Sequence, residues 1–428
     1  MAKIIYLDNA ATTKTDPRVA KIIEFYSTKT YGNAGSLHKA GREAKAIISD
    51  ARKTIAKILN CKPGEIIFTG SGTESDNLAV FGSARANKKF GNHIITSTIE
   101  HHAVLYSCEQ LEKEGFKVTF VKVDKDGILI LDDFKKTIGD NTIFVSVMYA
   151  NNEIGTIQPI EEIGKIIKEV RAEREKRGIM TPIIFHTDAC QAAGYLDLDV
   201  QKLGVDLLTL NGSKIYGPKG TGVLYVRTGV KVEPMIFGGG QEEGKRSGTE
   251  NTPGIVGLAE ALKIVQEKKE KESQREKKLR DYFIKEIQKN VSKVVLNGHV
   301  EKRLPNNINI SILDIEGEAM LLWLDKYGVC VSTGSACDSQ SLDPSHVILA
   351  LGRPYEYANG NLRFTLGRKT TKKELDYILK VLPKIVKELR RISPVNVEMD
   401  AKNISFQKAF IGQDTSNFKS KNYGNKKE

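Results

Sequence analysis

The chain has 428 residues, of which 40% are hydrophobic and 28% charged, and its formal net charge is +12. That length predicts two to three domain-sized units of about 100–200 residues each, with enough apolar material for a large core. No apolar run approaches the roughly 20 residues needed to span a bilayer, and Asp8 follows the N-terminus too soon for a secretory leader. The expected location is therefore the cytoplasm, with no membrane partner. The lysines are spread along amphipathic stretches such as 159–177 and 263–289, and no basic motif with interleaved aromatics is present. This reads as solvated helix faces and argues against direct nucleic-acid binding. The five cysteines, 61, 108, 190, 330 and 337, are too widely spaced for a disulfide framework or a zinc knuckle, and no metal site is expected.

Short apolar runs at 65–69, 93–97, 117–122, 142–148, 182–187, 206–210 and 221–226 predict strands. Helical periodicity lies between most of them, at 74–89, 102–114 and 159–177. This alternation predicts an α/β sheet with crossover helices on both faces. Ligands of such sheets bind beyond the carboxyl ends of the strands. A long helix is predicted from Gly254, and its very charged middle, 266–281, suits a bridge between two units. Short strands at 293–297, 307–312 and 328–332 and helices at 317–327 and 371–391 then predict a smaller α+β unit. Residues 396–428 lose periodicity and are expected to form a disordered tail.

Four strand ends carry polar clusters. Thr69-Gly70-Ser71-Gly72-Thr73-Glu74 is a tight strand-to-helix turn, and either only that or an anion cup built from helix-opening N–H groups. Glu100-His101-His102 is compatible with a structural pair or with an active-site histidine. Asp188, in His186-Thr187-Asp188-Ala189-Cys190-Gln191, could cap a helix or sit under a pyridine nitrogen and keep it protonated. Lys214, in Asn211-Gly212-Ser213-Lys214, ends the next strand and suits a Schiff-base lysine. An anion cup, a histidine, an acid and a lysine in this chain order are more specific together than any one alone.

Further blocks run in the same order. They are Tyr6-Leu7-Asp8-Asn9-Ala10-Ala11-Thr12-Thr13, Thr73-Glu74-Ser75-Asp76-Asn77, Asn151-Asn152-Glu153-Ile154-Gly155, Lys214-Ile215-Tyr216-Gly217-Pro218-Lys219-Gly220, Gly238-Gly239-Gly240-Gln241-Glu242, Arg246-Ser247-Gly248-Thr249 and Gly334-Ser335-Ala336-Cys337. On these blocks, residues 1–394 closely resemble the NifS/IscS-like cysteine desulfurases, of the class-V aminotransferase family.

The resemblance implies the fold type I architecture of pyridoxal 5'-phosphate (PLP) enzymes. A large domain over 15–265 would carry a mostly parallel seven-stranded sheet. Residues 1–14 and 266–395 would form the small domain, with the catalytic cysteine segment at 332–341. The implied activity removes sulfur from L-cysteine, leaving alanine and a persulfide on Cys337. Lys214 would hold the cofactor as a Schiff base, and His101 would stack on its ring and stand as the nearest catalytic proton shuttle. Asp188 would pair with the ring nitrogen, and Gln191 and Asn152 with the phenolic oxygen region. Gly72 and Thr73 would bind the phosphate, with Asn211 and Ser213 beside them. Thr249 would reach the phosphate of a neighbouring subunit, which implies a homodimer. Arg363 would clamp the substrate carboxylate, to which Asn152 would also contribute. The implied acceptor is an Fe–S scaffold protein or a tRNA-thiolation enzyme. A selenocysteine lyase or another fold type I enzyme is the alternative. One departure stands out: many members have Ser-Gly-His-Lys where this chain has Asn211-Gly212-Ser213-Lys214. Asn211 and Ser213 can hydrogen-bond a phosphate but cannot carry a positive charge.

Overall fold

The computed structural model describes residues 4–334 and 344–396. Cys337 and the tail expected beyond Asn396 lie outside the described residues.

Strand β1 (Ile5–Tyr6) is followed by β2 (Ile66–Thr69), β3 (His93–Ser97), β4 (Lys117–Val121), β5 (Thr142–Ser146), β6 (Ile184–Asp188), β7 (Leu207–Asn211) and β8 (Gly222–Val226). The last seven form one sheet in the order β2-β8-β7-β6-β5-β3-β4. Only β8 runs antiparallel to its two neighbours. The seven expected strands are all present, within a residue or two of the predicted bounds. In β5, β7 and β8 nearly every residue is buried, without alternation. This is the pattern of strands covered by helices on both faces. One face packs against helices Lys39–Leu59 and Ile160–Lys176, the other against Leu78, Val80, Val104 and Leu111.

The expected helix over 74–89 divides. An α-helix at Gly72–Asn77 runs into a wider π turn at Leu78–Gly82 and resumes at Ser83–Asn87. Two helices precede the first long strand. Pro17–Thr28 is capped by Asp16 with proline at its first position, and Lys39–Leu59 is capped by His38.

Strands β9 (Val294–Leu296), β10 (Asn307–Ile312), β11 (Val329–Cys330) and β12 (Asn361–Thr365) complete the chain. β12, β10 and β9 form an antiparallel sheet. The strand expected at 328–332 shrinks to β11, which pairs in parallel with β1. This leads the N-terminal segment past the end of β12, where Asp8 bridges to Thr365. Neither β1 nor β12 stood out in the sequence. β1 is two residues long, and the five residues of β12 contain Asn361, Arg363 and Thr365 on one face.

The helix Thr252–Asn290 joins the two sheets. Its first half contributes Ile255, Leu258, Leu262 and Val265 to the core around the large sheet. Its last turns contribute Phe283 and Ile287 to the core around the small one. Between them lies the charged stretch noted in the sequence, and two of its charges are buried. Glu276 accepts a hydrogen bond from Tyr195 Oη at 2.9 Å, and Arg280 donates to the carbonyls of Arg303 and Leu304.

Phe364 of β12 is fully buried and meets Phe283 edge to face, with ring centroids 5.3 Å apart. Phe364→Ala should destabilise the protein by about 3–5 kcal/mol, the usual cost of emptying a packed aromatic site. Urea denaturation followed by circular dichroism would measure it, and a change below about 1 kcal/mol would show that the small-sheet core tolerates the void.

Candidate active site

The polar clusters singled out in the sequence meet at the carboxyl edge of the large sheet. β2 delivers Ser71, which caps the helix starting at Gly72 by accepting from Glu74 N–H at 3.0 Å. The first N–H groups of a helix have no partner within it, so Gly72 and Thr73 present theirs to the edge. Glu74 is held by Gly70 N–H at 2.8 Å and by Arg246 Nε at 2.8 Å. Gly72 cannot be anything larger. A Cβ there would lie 2.8 Å from Cys190 Sγ and 3.2 Å from Asn211 Cβ. The turn is thus pressed against the ends of both β6 and β7.

At the end of β7, Asn211 Oδ1 accepts from both the N–H and the hydroxyl of Ser213, at 3.0 Å each. Ser213 O in turn accepts from Thr13 N–H and Thr13 Oγ1, both at 2.8 Å. Lys214 Nζ donates to Ala11 O at 2.5 Å, and Gln191 Nε2 donates to Ala10 O at 3.0 Å. The side chains of Lys214 and Gln191 therefore end on adjacent carbonyls of the N-terminal segment. This gives a place to the Tyr6–Thr13 block, whose position at the site the sequence did not reveal.

Asp188 is the last residue of β6 rather than the first beyond it, and it is buried. No helix follows for it to cap. Its Oδ1 accepts from Cys190 N–H at 2.8 Å instead. Behind it lies a group of ionisable side chains that the sequence reading did not assemble. His186 is fully buried, with its two ring nitrogens 2.9 Å from Ser146 Oγ and 3.0 Å from Thr209 Oγ1. Burial pushes its pKa down to about 4, against the pull of the nearby Asp188 charge. Asp76 is raised well above the ordinary carboxylate range by burial and by repulsion from Asp188. Glu100 is raised to about 8, mainly by burial. His101 is lowered, mainly by burial. Burial thus works against charge on all four of these groups around Asp188. A buried carboxylate in such a place calls for a positive partner. A protonated pyridine nitrogen is one.

His101 caps the helix His102–Lys113, with Nδ1 accepting from Ala103 N–H at 3.1 Å. That bond fixes the ring and requires Nδ1 to be unprotonated. Arg363, in β12, reaches the same edge. Its Nη1 donates to Asn152 O at 3.1 Å and its Nη2 to Asp8 Oδ1 at 3.0 Å, while its buried Nε has no partner among the described residues. A substrate carboxylate would have to share this guanidinium with Asp8. Thr249 is exposed and lines a cavity of about 190 Å³ with Gly70, Arg246 and Gly220, to the side of the cluster. The strand-end lysine, buried acid, helix-capping histidine and helix-opening N–H groups fit PLP in kind and in order. Among the described residues no group of His, Cys, Asp and Glu is arranged to hold a metal ion.

The aminotransferase class-V family model matches residues 5–378. The cysteine desulfurase IscS of Clostridium botulinum strain Hall is 49% identical over 397 residues, covering 92% of this chain and 97% of that protein. The chain belongs to the class-V aminotransferase family, in its NifS/IscS-like cysteine desulfurase branch. The IscS of Dictyoglomus turgidum is 50% identical over 398 residues, covering 93% of this chain and 98% of that protein. Among solved structures, a NifS-like protein superposes with a TM-score of 0.83 at 37% identity, over 90% of this chain and all of that one. SspA, solved in complex with cysteine, superposes with a TM-score of 0.73 at 34% identity, over 85% of this chain and 98% of that one. Members of this branch are PLP-dependent enzymes, and the fold is the fold type I arrangement expected of them.

Two predictions follow from the geometry. Glu100 has a folded-state pKa above its unfolded one, so the stability it contributes is full below about 4.5 and is lost as pH rises through about 8. Glu100→Gln removes this titration, and should lose less stability than wild type between about pH 6 and about pH 9. Urea midpoints at the two pH values would measure it, and parallel pH profiles would show that Glu100 does not titrate as its burial implies. If Ser213 serves the phosphate through hydrogen bonding, Ser213→Ala should weaken cofactor retention by about 0.5–1.5 kcal/mol, as for one neutral hydrogen bond. Equilibrium dialysis against PLP would measure this, and unchanged retention would assign Ser213 only to Asn211.

Proposed function

We propose that this protein is a PLP-dependent cysteine desulfurase that takes sulfur from L-cysteine, holds it as a persulfide on Cys337 and releases L-alanine. The observation that supports it most is the convergence of Lys214 and Gln191 on the carbonyls of Ala11 and Ala10, beside the buried Asp188. That is the set of groups needed to hold a cofactor ring and move a proton next to it.

The cofactor, when bound, supplies an electron sink for charge that develops at the substrate Cα. Asp188 keeps the ring nitrogen protonated. Gly72 and Thr73, with Asn211 and Ser213 near them, serve the phosphate. His101 would cover the ring face, and Gln191 and Asn152 would serve its phenolic oxygen. Lys214 Nζ is the base that takes the Cα proton and later returns one. Arg363 offers the fork geometry that suits a carboxylate, beside Asn152. The Cys337 thiolate attacks the substrate sulfur. An S–S bond forms as the C–S bond breaks, and the electron pair stays with the carbon fragment that leaves as alanine after protonation.

The other cysteines support this choice by their chemistry. Burial pushes the thiol of Cys61 up to about 12 and raises those of Cys108, Cys190 and Cys330 as well. A nucleophilic cysteine needs the opposite shift. The small and polar residues around Cys337, Ser332 to Ser341, suit an accessible thiol.

The reading extends to assembly. Large apolar side chains are exposed at Phe237, Ile236 and Met235, close in sequence to Thr249. A homodimer in which Thr249 serves the partner's phosphate site would cover them. The acceptor in this reading is an Fe–S scaffold protein, in keeping with the IscS name of the relatives, or a tRNA-thiolation enzyme. No helix among the described residues is long and apolar enough to cross a membrane. The proposed division is a large domain over 15–265 and a small one from 1–14 and 266–395.

Lys214→Ala should abolish alanine formation and the visible absorbance of the bound cofactor. Cys337→Ser should keep the absorbance, bind L-cysteine and release almost no alanine, because a hydroxyl is hardly ionised near neutral pH. Mass spectrometry of wild type after L-cysteine should find one added sulfur on the Cys337 peptide. Wild-type turnover by the serine variant would favour a lyase of the selenocysteine type.

A further inference from the structure

The Asn151-Asn152-Glu153 turn follows β5 at the carboxyl edge, and only Asn152 has a part in the chemistry described above. Asn151 shapes the turn, since its Oδ1 accepts from the N–H groups of Glu153 and Ile154 at 2.8 and 2.9 Å. Its Nδ2 donates to Ile99 O at 2.8 Å, which ties the turn to the segment leading to His101. Glu153 is 3% exposed and points away from solvent, toward the chain on either side of Cys337.

Ser345 Oγ donates to Glu153 Oε2 at 2.5 Å. The same oxygen accepts from Ile348 N–H at 3.2 Å and so caps the helix His346–Ala350. On the other side, a Cβ on Gly334 would lie 2.5 Å from Glu153 Oε2 and 2.8 Å from Ser345 Cβ. Gly334 is therefore packed directly against the carboxylate. Its N–H donates to Asn361 Oδ1 at 2.9 Å. Asn361 Nδ2 donates to Asn309 Oδ1 at 2.5 Å, and Asn309 Nδ2 donates to Glu153 O at 3.1 Å. Both the side chain and the backbone of Glu153 thus reach the two stems, Gly334 and Ser345. Cys337 is three residues beyond Gly334 in the sequence. The preceding residue, Asn152, takes the Arg363 guanidinium on its carbonyl.

We propose that Glu153 is a positioning residue for sulfur transfer: it holds both stems of the Cys337 segment on the turn that also holds Arg363. The inference rests on Cys337 being the sulfur acceptor. A buried carboxylate suits the task because it accepts a short hydrogen bond from Ser345 while Gly334 leaves it room. An apolar side chain of the same size would leave the Ser345 hydroxyl without its acceptor.

The test uses the full-length, PLP-loaded protein and the variants Glu153→Ala, Glu153→Gln and Ser345→Ala. After mixing with L-cysteine, two rates are read: the visible absorbance change as substrate engages the cofactor, and the appearance of alanine in a single turnover. A third readout is the rate at which iodoacetamide alkylates Cys337 in the resting protein, followed by peptide mass spectrometry. Glu153→Ala should leave the absorbance change within about twofold, slow alanine release by about tenfold to a hundredfold and shift Cys337 alkylation by about threefold or more, as expected when a buried hydroxyl loses its acceptor. Glu153→Gln, which can still accept from Ser345, should recover most of the rate. Ser345→Ala should reproduce the loss, and combining it with Glu153→Ala should add little. If Glu153→Ala does not fold, Ser345→Ala decides alone. Equal slowing of absorbance change and alanine release would overturn the proposal, as would wild-type alanine release by Glu153→Ala while Cys337→Ser is inactive. Turnover by Cys337→Ser would instead remove the reading on which the proposal stands.

Discussion

The parallel register of β3, β5, β6 and β7 is the constraint on which the site depends. β6 meets β7 with Asp188 opposite Thr209, and β5 meets β6 with Ser146 opposite His186. A slip of one residue in either pair would turn every side chain to the opposite face of the sheet. Asp188 would then leave the edge and an apolar neighbour would take its place. The burial of both sheet faces prevents this. Phe144, Phe185, Leu208 and Leu210 are all fully covered, so any other register would expose some of them or bury polar groups in their stead.

With the register held, burial does electrostatic work. The same low-dielectric surroundings raise Asp76 and Glu100 and lower His186, so burial works against charge on each of them. Burial lowers His101 as well, in keeping with an Nδ1 that accepts from the Ala103 N–H. The arrangement costs the fold the desolvation of several ionisable groups. The large apolar core around them has to offset it.

The N-terminal segment joins the two sheets to the site. It pairs through β1 with β11, contacts β12 at Asp8, Asn9 and Ala10, and then passes Lys214 and Gln191. Arg363 on the small sheet and Lys214 on the large one are thereby tied to the same stretch, Asp8 to Ala11. The long helix Thr252–Asn290 provides the second link, with one apolar end in each core. Arg363 and Lys214, from different sheets, are thus referred to one frame.

The sequence by itself determined the large sheet and the residues at its carboxyl edge. Fully apolar runs of strand length, separated by helical periodicity and ending in Asp188 or Lys214, have one physical solution: strands buried on both faces with their polar ends together. The matching blocks added the cofactor and the branch of the family. Tertiary structure alone decided the rest. Thr365, Asn361 and Asn309 are polar residues buried in the small sheet, and no local pattern tells a buried, mutually bonded asparagine from an exposed one. β1 has two residues and exists only because β11 lies beside it. Glu153 and Ser345 are 192 positions apart and Arg363 and Asp8 are 355 apart, so their pairing depends on the closed chain path and not on spacing. The raised pKa of Asp76 and Glu100 is likewise a property of the surrounding core, because desolvation requires neighbours that only the folded chain supplies.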